Sequence, residues 1–197
     1  MLIEENKEIL TEILNQKKKI VFVGLGTPEL VFDSFGPLCV DLLKGSSYIC
    51  FGGTSNPLDR DTIPVEIPKI LEKHKNDCIV VIDAAAYTKN DNKYRIGDFI
   101  IKKGSLRPAA FFSEEFEEFG DYYIKLISVT NEDKIKKIEC VEAVLKIVNF
   151  IKKDPRWNGG LKKLKINRTS FYVFFQSVIS TWILQINFYV FWGGIKI

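Results

Sequence analysis

The sequence predicts an α/β fold in which a mostly parallel sheet is covered by helices on both faces. Short apolar runs alternate with amphipathic segments along the first 160 residues, the order that builds such a sheet. The first three runs are apolar throughout, without the polar alternation of a strand that has one face in water. The composition fits a packed core: 46% of the 197 residues are hydrophobic and 27% are charged, which excludes a disordered chain.

The elements follow in order. Over residues 2–17, Ile3, Ile9, Leu10, Ile13 and Leu14 recur at helical spacing among charges, an amphipathic surface helix. Lys17, Lys18 and Lys19 lead into Ile20-Val21-Phe22-Val23, a buried strand. A Gly/Pro loop runs from Gly24 to Val31. Asp33-Ser34-Phe35-Gly36-Pro37 then opens a helix to Lys44, where Gly45 stops it. Tyr48-Ile49-Cys50-Phe51 is the second strand, and Gly52 to Pro57 is a loop. Val65 to Lys75 is a helix burying Ile67, Ile70 and Leu71. Cys78-Ile79-Val80-Val81-Ile82 is the third strand, ending at Asp83 and running into Ala84-Ala85-Ala86. A polar stretch, Thr88 to Arg95, precedes a fourth strand at Ile96–Ile101. The fifth strand is Tyr122–Val129. A long helix from Glu132 to Lys152 carries Ile135, Ile138, Val141, Leu145, Val148 and Ile151 on one face.

Residues 1–160 thus form an α/β domain, and 161–197 form a tail of different chemistry. The tail holds five basic residues and no acid, and Thr169 to Ile195 contains no charge at all. Such a run is long enough to span a bilayer, with Lys162, Lys163, Lys165 and Arg168 as its cytoplasmic flank. Gln176, Gln185 and Asn187 oppose insertion, so a membrane anchor, a hydrophobic segment packed on the body and an unnatural extension of the reading frame are all open. The net charge of +3 comes from this tail. The body is slightly acidic, and no nucleic-acid partner is expected for it. The opening residues Met1-Leu2-Ile3-Glu4-Glu5-Asn6 lack the basic and apolar regions of a signal peptide, so a cytoplasmic location is expected. Cys39, Cys50, Cys78 and Cys140 form no CxxC pair, which supports neither zinc nor thioredoxin chemistry. Reduced core cysteines are expected instead.

Several chemistries fall away on residue type. Gly24-Leu25-Gly26 follows a strand, but Glu29 stands where a dinucleotide fingerprint needs its third glycine. No phosphate-binding Gly-Lys-Ser/Thr is present. His74 is the only histidine, so Ser-His-Asp and Cys-His chemistry would both have to use it, and a multi-histidine metal site has no material. It sits in Glu72-Lys73-His74-Lys75 and reads as solvated surface. No metal or organic cofactor is called for. Two aspartates stand out by position. Asp33 closes the loop after the first strand, and Asp83 ends the third. Ligands of open parallel sheets sit beyond the carboxyl ends of the strands. If these strands are neighbours, both carboxylates face one crevice, lined also by Gly26, Thr27, Gly53 and Thr54. Asp33 is equally well placed as a helix N-cap, and Asp83 could serve only to bind a backbone group or a lysine. Two facing carboxylates in different surroundings can divide the labour of hydrolysis. One activates water, and the other keeps its proton to polarise a carbonyl. The helix N-terminus is expected to lower the pKa of Asp33, and desolvation to raise that of Asp83.

Val23-Gly24-Leu25-Gly26-Thr27, Asp33-Ser34-Phe35-Gly36-Pro37-Leu38 and Ile82-Asp83-Ala84 together resemble the germination (spore) protease superfamily. Phe51-Gly52-Gly53-Thr54 and Gly104-Ser105-Leu106-Arg107-Pro108 are similar to its small YyaC-type sporulation branch. The likeness covers about residues 19–153. It implies a fold like that of hydrogenase-maturation peptidases, in the wider phosphorylase/hydrolase-like group. It also implies an endopeptidase with Asp33 and Asp83 as catalytic pair, in the cytoplasm of a forespore or spore. Small acid-soluble spore proteins are the substrates of the larger members. This chain lacks the larger members' extra segments, and has no counterpart to the metal-binding histidine of the maturation peptidases, which argues against nickel. A non-catalytic sporulation protein binding a peptide or partner in the same crevice is the alternative. Metal-dependent maturation of another enzyme is a third.

Overall fold

The computed structural model describes residues 3–31, 33–86, 94–108, 116–128, 137–155 and 157. The chain divides near residue 160, Met1–Gly159 forming one unit. The basic and apolar tail lies outside the described residues.

Among the described residues nine elements follow in order: α1 (Glu4–Leu14), β1 (Ile20–Gly24), α2 (Phe35–Leu43), β2 (Ile49–Phe51), α3 (Ile63–Lys73), β3 (Cys78–Ala86), β4 (Phe99–Lys103), β5 (Tyr122–Ser128) and α4 (Lys137–Ile151). The five strands form one sheet in the order β2-β1-β3-β5-β4. β1 pairs in parallel with β2 and β3, and β3 in parallel with β5. Only the edge strand β4 is antiparallel. The predicted α/β class with a mostly parallel sheet is the observed one.

Strand alternation sends side chains into two cores. Phe22, Val80 and Ile82 point to the face covered by α1, α2 and α4, where they meet Leu10, Ile13, Phe35, Val40, Val144 and Ile147. Val21, Val23, Ile79 and Val81 point to the other face, against Ile63, Ile67 and Ile70 of α3. Every residue of β1 is buried, which explains its unbroken apolar run. The sheet order changes direction between β1 and β3: the chain leaves β1 for β2 on one side, then crosses to β3 on the other. In open α/β sheets such a switch point, beyond the strands' carboxyl ends, is where ligands sit.

α3 and β4 are displaced from their predicted bounds, and β3 runs on past its predicted end to Ala86. α3 begins at Ile63, because Pro64 fits a first helical turn that has no N–H to satisfy. The fourth strand runs over Phe99–Lys103 instead of Ile96–Ile101, because Arg95 to Asp98 form a turn. In that turn Arg95 N–H donates to the Asp98 carboxylate at 2.8 Å, and Gly97 takes φ +88°. The start predicted for the last helix, at Glu132, lies outside the described residues. Cys39, Cys78 and Cys140 are buried free thiols and Cys50 is half-buried, and burial raises the pKa of all four.

His74 departs from its expected solvated position. It is 6% exposed, its ring lies 5.5 Å from that of Phe51, and Nδ1 is 2.8 Å from the Asp77 carboxylate. The charged neighbours Glu72, Lys73 and Lys75 point outward, while the helix end turns His74 toward β2.

Candidate active site

The site is built where α2 meets the ends of β1 and β3. Gly36, in the first turn of α2, rests on the carbonyl oxygens of Leu25 and Ile82, where a methyl group would collide with both. The Leu25 N–H donates to the Ile82 carbonyl at 2.8 Å. Helix start and strand ends are therefore locked together at the residue before Asp83.

Asp33 lies three residues before Gly36 and is half-buried. It does not cap α2: Ser34 occupies the N-cap position, with no side-chain cap bond. The Asp33 carboxylate instead accepts the Thr27 N–H at 2.7 Å. The chain closes this loop through Leu30 N–H to Thr27 and Asp33 N–H to Leu30. Gly26 makes the loop possible. It takes φ +125°, and a Cβ there would run into the Asp33 backbone oxygen, so only glycine fits. On its far side Gly26 N–H donates to Leu58 at 3.0 Å, and Leu25 bridges Leu58 in parallel. Leu58 brings with it Asp59, whose carboxylate accepts the N–H groups of Asp61 and Thr62.

Asp83 is inside β3 and not at its end, since the strand continues to Ala86 by pairing with β5. The alanines that read as spill-over are strand residues with partners. Asp83 is half-buried and projects on the Val81 side of the strand, the face that α3 covers. Its Oδ1 accepts the Ala84 N–H at 2.8 Å. Its register partner across β3 and β5 is Lys125.

The electrostatics set the two carboxylates apart. Burial, followed by the charge of Asp33, pushes Asp83 up to about 7, against the pull of Lys125 and the Ala84 N–H. Burial also raises Asp33, with the Asp59 charge adding to it and the hydrogen bonds from Thr27 opposing it. The lowering expected of Asp33 from the helix end is thus reversed: loss of water outweighs what the Thr27 amide returns. The charge of Asp33 thus adds to burial in favouring the protonated form of Asp83.

Thr27 touches the Asp33 carboxylate through its N–H, and Gly26 leaves no room for a Cβ beside Asp33. Gly53 and Thr54 lie beyond β2 and are tied to the side of α2. Thr54 gives both its N–H and its hydroxyl to Asp41, and Gly53 packs against Asp41 and Lys44. Their contacts fall two turns along α2 from its start, away from Asp33. Asp59 and Lys125 are the charged neighbours that sequence reasoning did not single out. Lys125 carried a usable signal, as the only charge in the apolar segment Tyr122–Ser128. Asp59 carried none, because its approach to Asp33 depends on the Leu25–Leu58 bridge.

A groove of about 620 Å³ starts at Arg60 and Asp61, directly after Asp59. It follows α3 past Ile63 and Ile67 toward Phe116 and Phe119. Among the described residues, no three His, Cys, Asp or Glu side chains are grouped to hold a metal ion, and no helix is long and apolar enough to cross a membrane.

The chain is similar in structure to the NiFe hydrogenase maturation protease HycI from Thermococcus kodakarensis KOD1. That match has a TM-score of 0.47 and 18% identity, over 73% of this chain and 99% of that one. In sequence it is similar to the uncharacterized protein YyaC of Bacillus subtilis (strain 168), 32% identical over 111 residues, which is 54% of this chain and 52% of that protein. The matched region thus spans about half the length of this curated relative. Residues 1–153 match the family described as "Protein of unknown function (DUF1256)", and the chain belongs to that family.

Proposed function

We propose that the protein is an endopeptidase of germination-protease type that hydrolyses peptide bonds with Asp33 and Asp83. One observation carries the reading: Asp83 lies close enough to Asp33 to feel its charge, and that charge together with burial pushes Asp83 up to about 7. A site with one ionised and one protonated carboxyl has both halves of general acid–base hydrolysis. The ordered sequence elements that resemble germination proteases support the same assignment, since they contain both aspartates. The substrate class is protein, and small acid-soluble spore proteins are the ones the resemblance implies. The site of action is the cytoplasm of a spore-forming cell, free or attached to a membrane through the tail.

In this mechanism Asp33, whose carboxylate accepts the Thr27 N–H, takes a proton from water. The oxygen of that water attacks the peptide carbonyl carbon. Asp83 donates its proton to the carbonyl oxygen, so no free oxyanion builds up. When the C–N bond breaks, the proton held on Asp33 passes to the leaving nitrogen, and the hydroxyl proton returns to Asp83.

The test is cleavage of purified acid-soluble spore proteins by the wild type, Asp33→Asn and Asp83→Asn, with folding checked by circular dichroism. Each variant is expected to lose cleavage, on the order of 10²–10⁴-fold for loss of one acid–base group. Normal cleavage by either variant removes that residue from the mechanism. Binding of the substrate without cleavage by the wild type supports the reading in which the same crevice only captures a peptide.

A further inference from the structure

β5 is an interior strand, paired to β3 on one side and β4 on the other. Lys125 is its only charged residue. Lys125 is half-buried, a charge set among apolar strand residues, and such charges are usually paired. The register supplies one: Lys125 stands directly opposite Asp83, itself the only charge in β3. Paired backbones in neighbouring strands lie about 4.8 Å apart, and in-register parallel residues leave the sheet on the same face. The two charges of two interior strands are therefore side by side.

Lys125 does not close onto Asp83 as an ion pair. Its Nζ lies 5.4 Å from the centre of the Tyr123 ring, a cation–π position that holds the ammonium beside the site. On β4 its register partner is the apolar Ile100, while Lys102 pairs with Tyr123 and is exposed. The groups that face Asp83 are Asp33 and Lys125 among the described residues, with Asp59 acting on Asp33.

We propose that Lys125 is a positioning residue, the counter-cation that strand register places beside the Asp33–Asp83 pair to keep one negative charge in the crevice. The role rests on reading that pair as the working site. Asp83 is subject to burial and to the charge of Asp33, both of which favour its neutral form; Lys125 opposes both. Without the ammonium, Asp83 takes up and keeps its proton more readily. Parking over Tyr123 separates this role from a closed salt bridge, which would occupy the Asp83 oxygens that the reaction needs.

The experiment follows the Asp83 carboxyl by ¹³C NMR titration in the full chain, for the wild type, Lys125→Met, Lys125→Arg and Lys102→Met. Met keeps the length of the lysine stem and suits a covered strand, so the sheet is retained. Lys125→Met is expected to raise the Asp83 midpoint by about one unit, a roughly tenfold higher proton affinity. Lys125→Arg returns it close to the wild-type value, and Lys102→Met leaves it in place. The alkaline limb of the cleavage profile moves up with the midpoint in Lys125→Met. A midpoint that does not move in Lys125→Met, or that moves as far in Lys125→Arg, overturns the proposal. The titration needs no turnover. A wild type that never cleaves, with a midpoint that moves as described, removes the peptidase reading and keeps Lys125 as counter-cation. An unmoved midpoint with normal cleavage removes only the role of Lys125.

Discussion

Asp83 carries a charge that the folded protein disfavours, and this links its chemistry to stability. Its pKa is raised to about 7 by burial and by Asp33, above its value in the unfolded chain. Folding is therefore helped by the proton at low pH, and that help is lost as pH rises through about 7. Asp83→Asn removes the ionisation. It should stabilise the fold at pH 8 by about 4 kcal/mol relative to the wild type and change little at pH 4. Urea unfolding at the two pH values reads this directly, and equal shifts at both would argue against a buried charge. Cleavage should fall over the same range, as Asp83 loses the proton it donates. EDTA should leave cleavage unchanged, because His74, the chain's one histidine, is turned toward Phe51 and Asp77. Loss of activity in EDTA that a divalent metal restores would favour metal-dependent chemistry instead. At this scale the sequence named both aspartates but misjudged their surroundings. Asp33 looked like a cap because it precedes a helix. Whether such a side chain turns to the helix or to a loop amide depends on Gly26, and no local pattern reveals that choice.

The contact between α2 and the strand ends positions the site. Gly36 is pressed on the carbonyls of Leu25 and Ile82, so a side chain there must push the helix, and Asp33 with it, away from Asp83. Gly36→Ala should cost about 1–3 kcal/mol, in the range of overpacked cores. It should reduce cleavage more than a surface change of equal stability cost, and thermal unfolding beside the cleavage rate checks both. The strands were legible because β1 and β3 are covered on both faces and need unbroken apolar runs. The end of β3 was not, since Ala84, Ala85 and Ala86 have weak strand preference and are held by pairing with Leu126, Ile127 and Ser128. β4 was displaced for a related reason: it is an edge strand whose register comes from β5, and Ile96 lies in the turn that precedes it. His74 was misread because its charged neighbours dominate the local pattern, while the ring that covers it belongs to another strand.

At the scale of the molecule, sheet order and site are one fact. The order β2-β1-β3-β5-β4 puts the reversal of winding between β1 and β3, and these strands deliver Asp33 and Asp83. The sequence showed the alternation that leads to a parallel sheet, but strand order follows from packing across the whole chain and had to be assumed. The core of the described unit closes through α4, where Ile147, Val148 and Ile151 are buried, and through Tyr48, whose hydroxyl donates to Asp154 at 2.8 Å. Deleting residues 161–197 should therefore leave a soluble, folded domain with the aspartate crevice intact, and release it from membranes if the tail anchors it. Precipitation or unfolding of the shortened protein would mean that the tail completes the core. The central claim is that Asp33 and Asp83 share one site and one proton, and carboxyl titration by NMR of the wild type and Asp33→Asn tests it most directly. The account predicts an Asp83 midpoint of about 7 in the wild type and a clear fall when the Asp33 charge is removed. An Asp83 that titrates as an ordinary carboxylate, or that ignores the loss of Asp33, would contradict it.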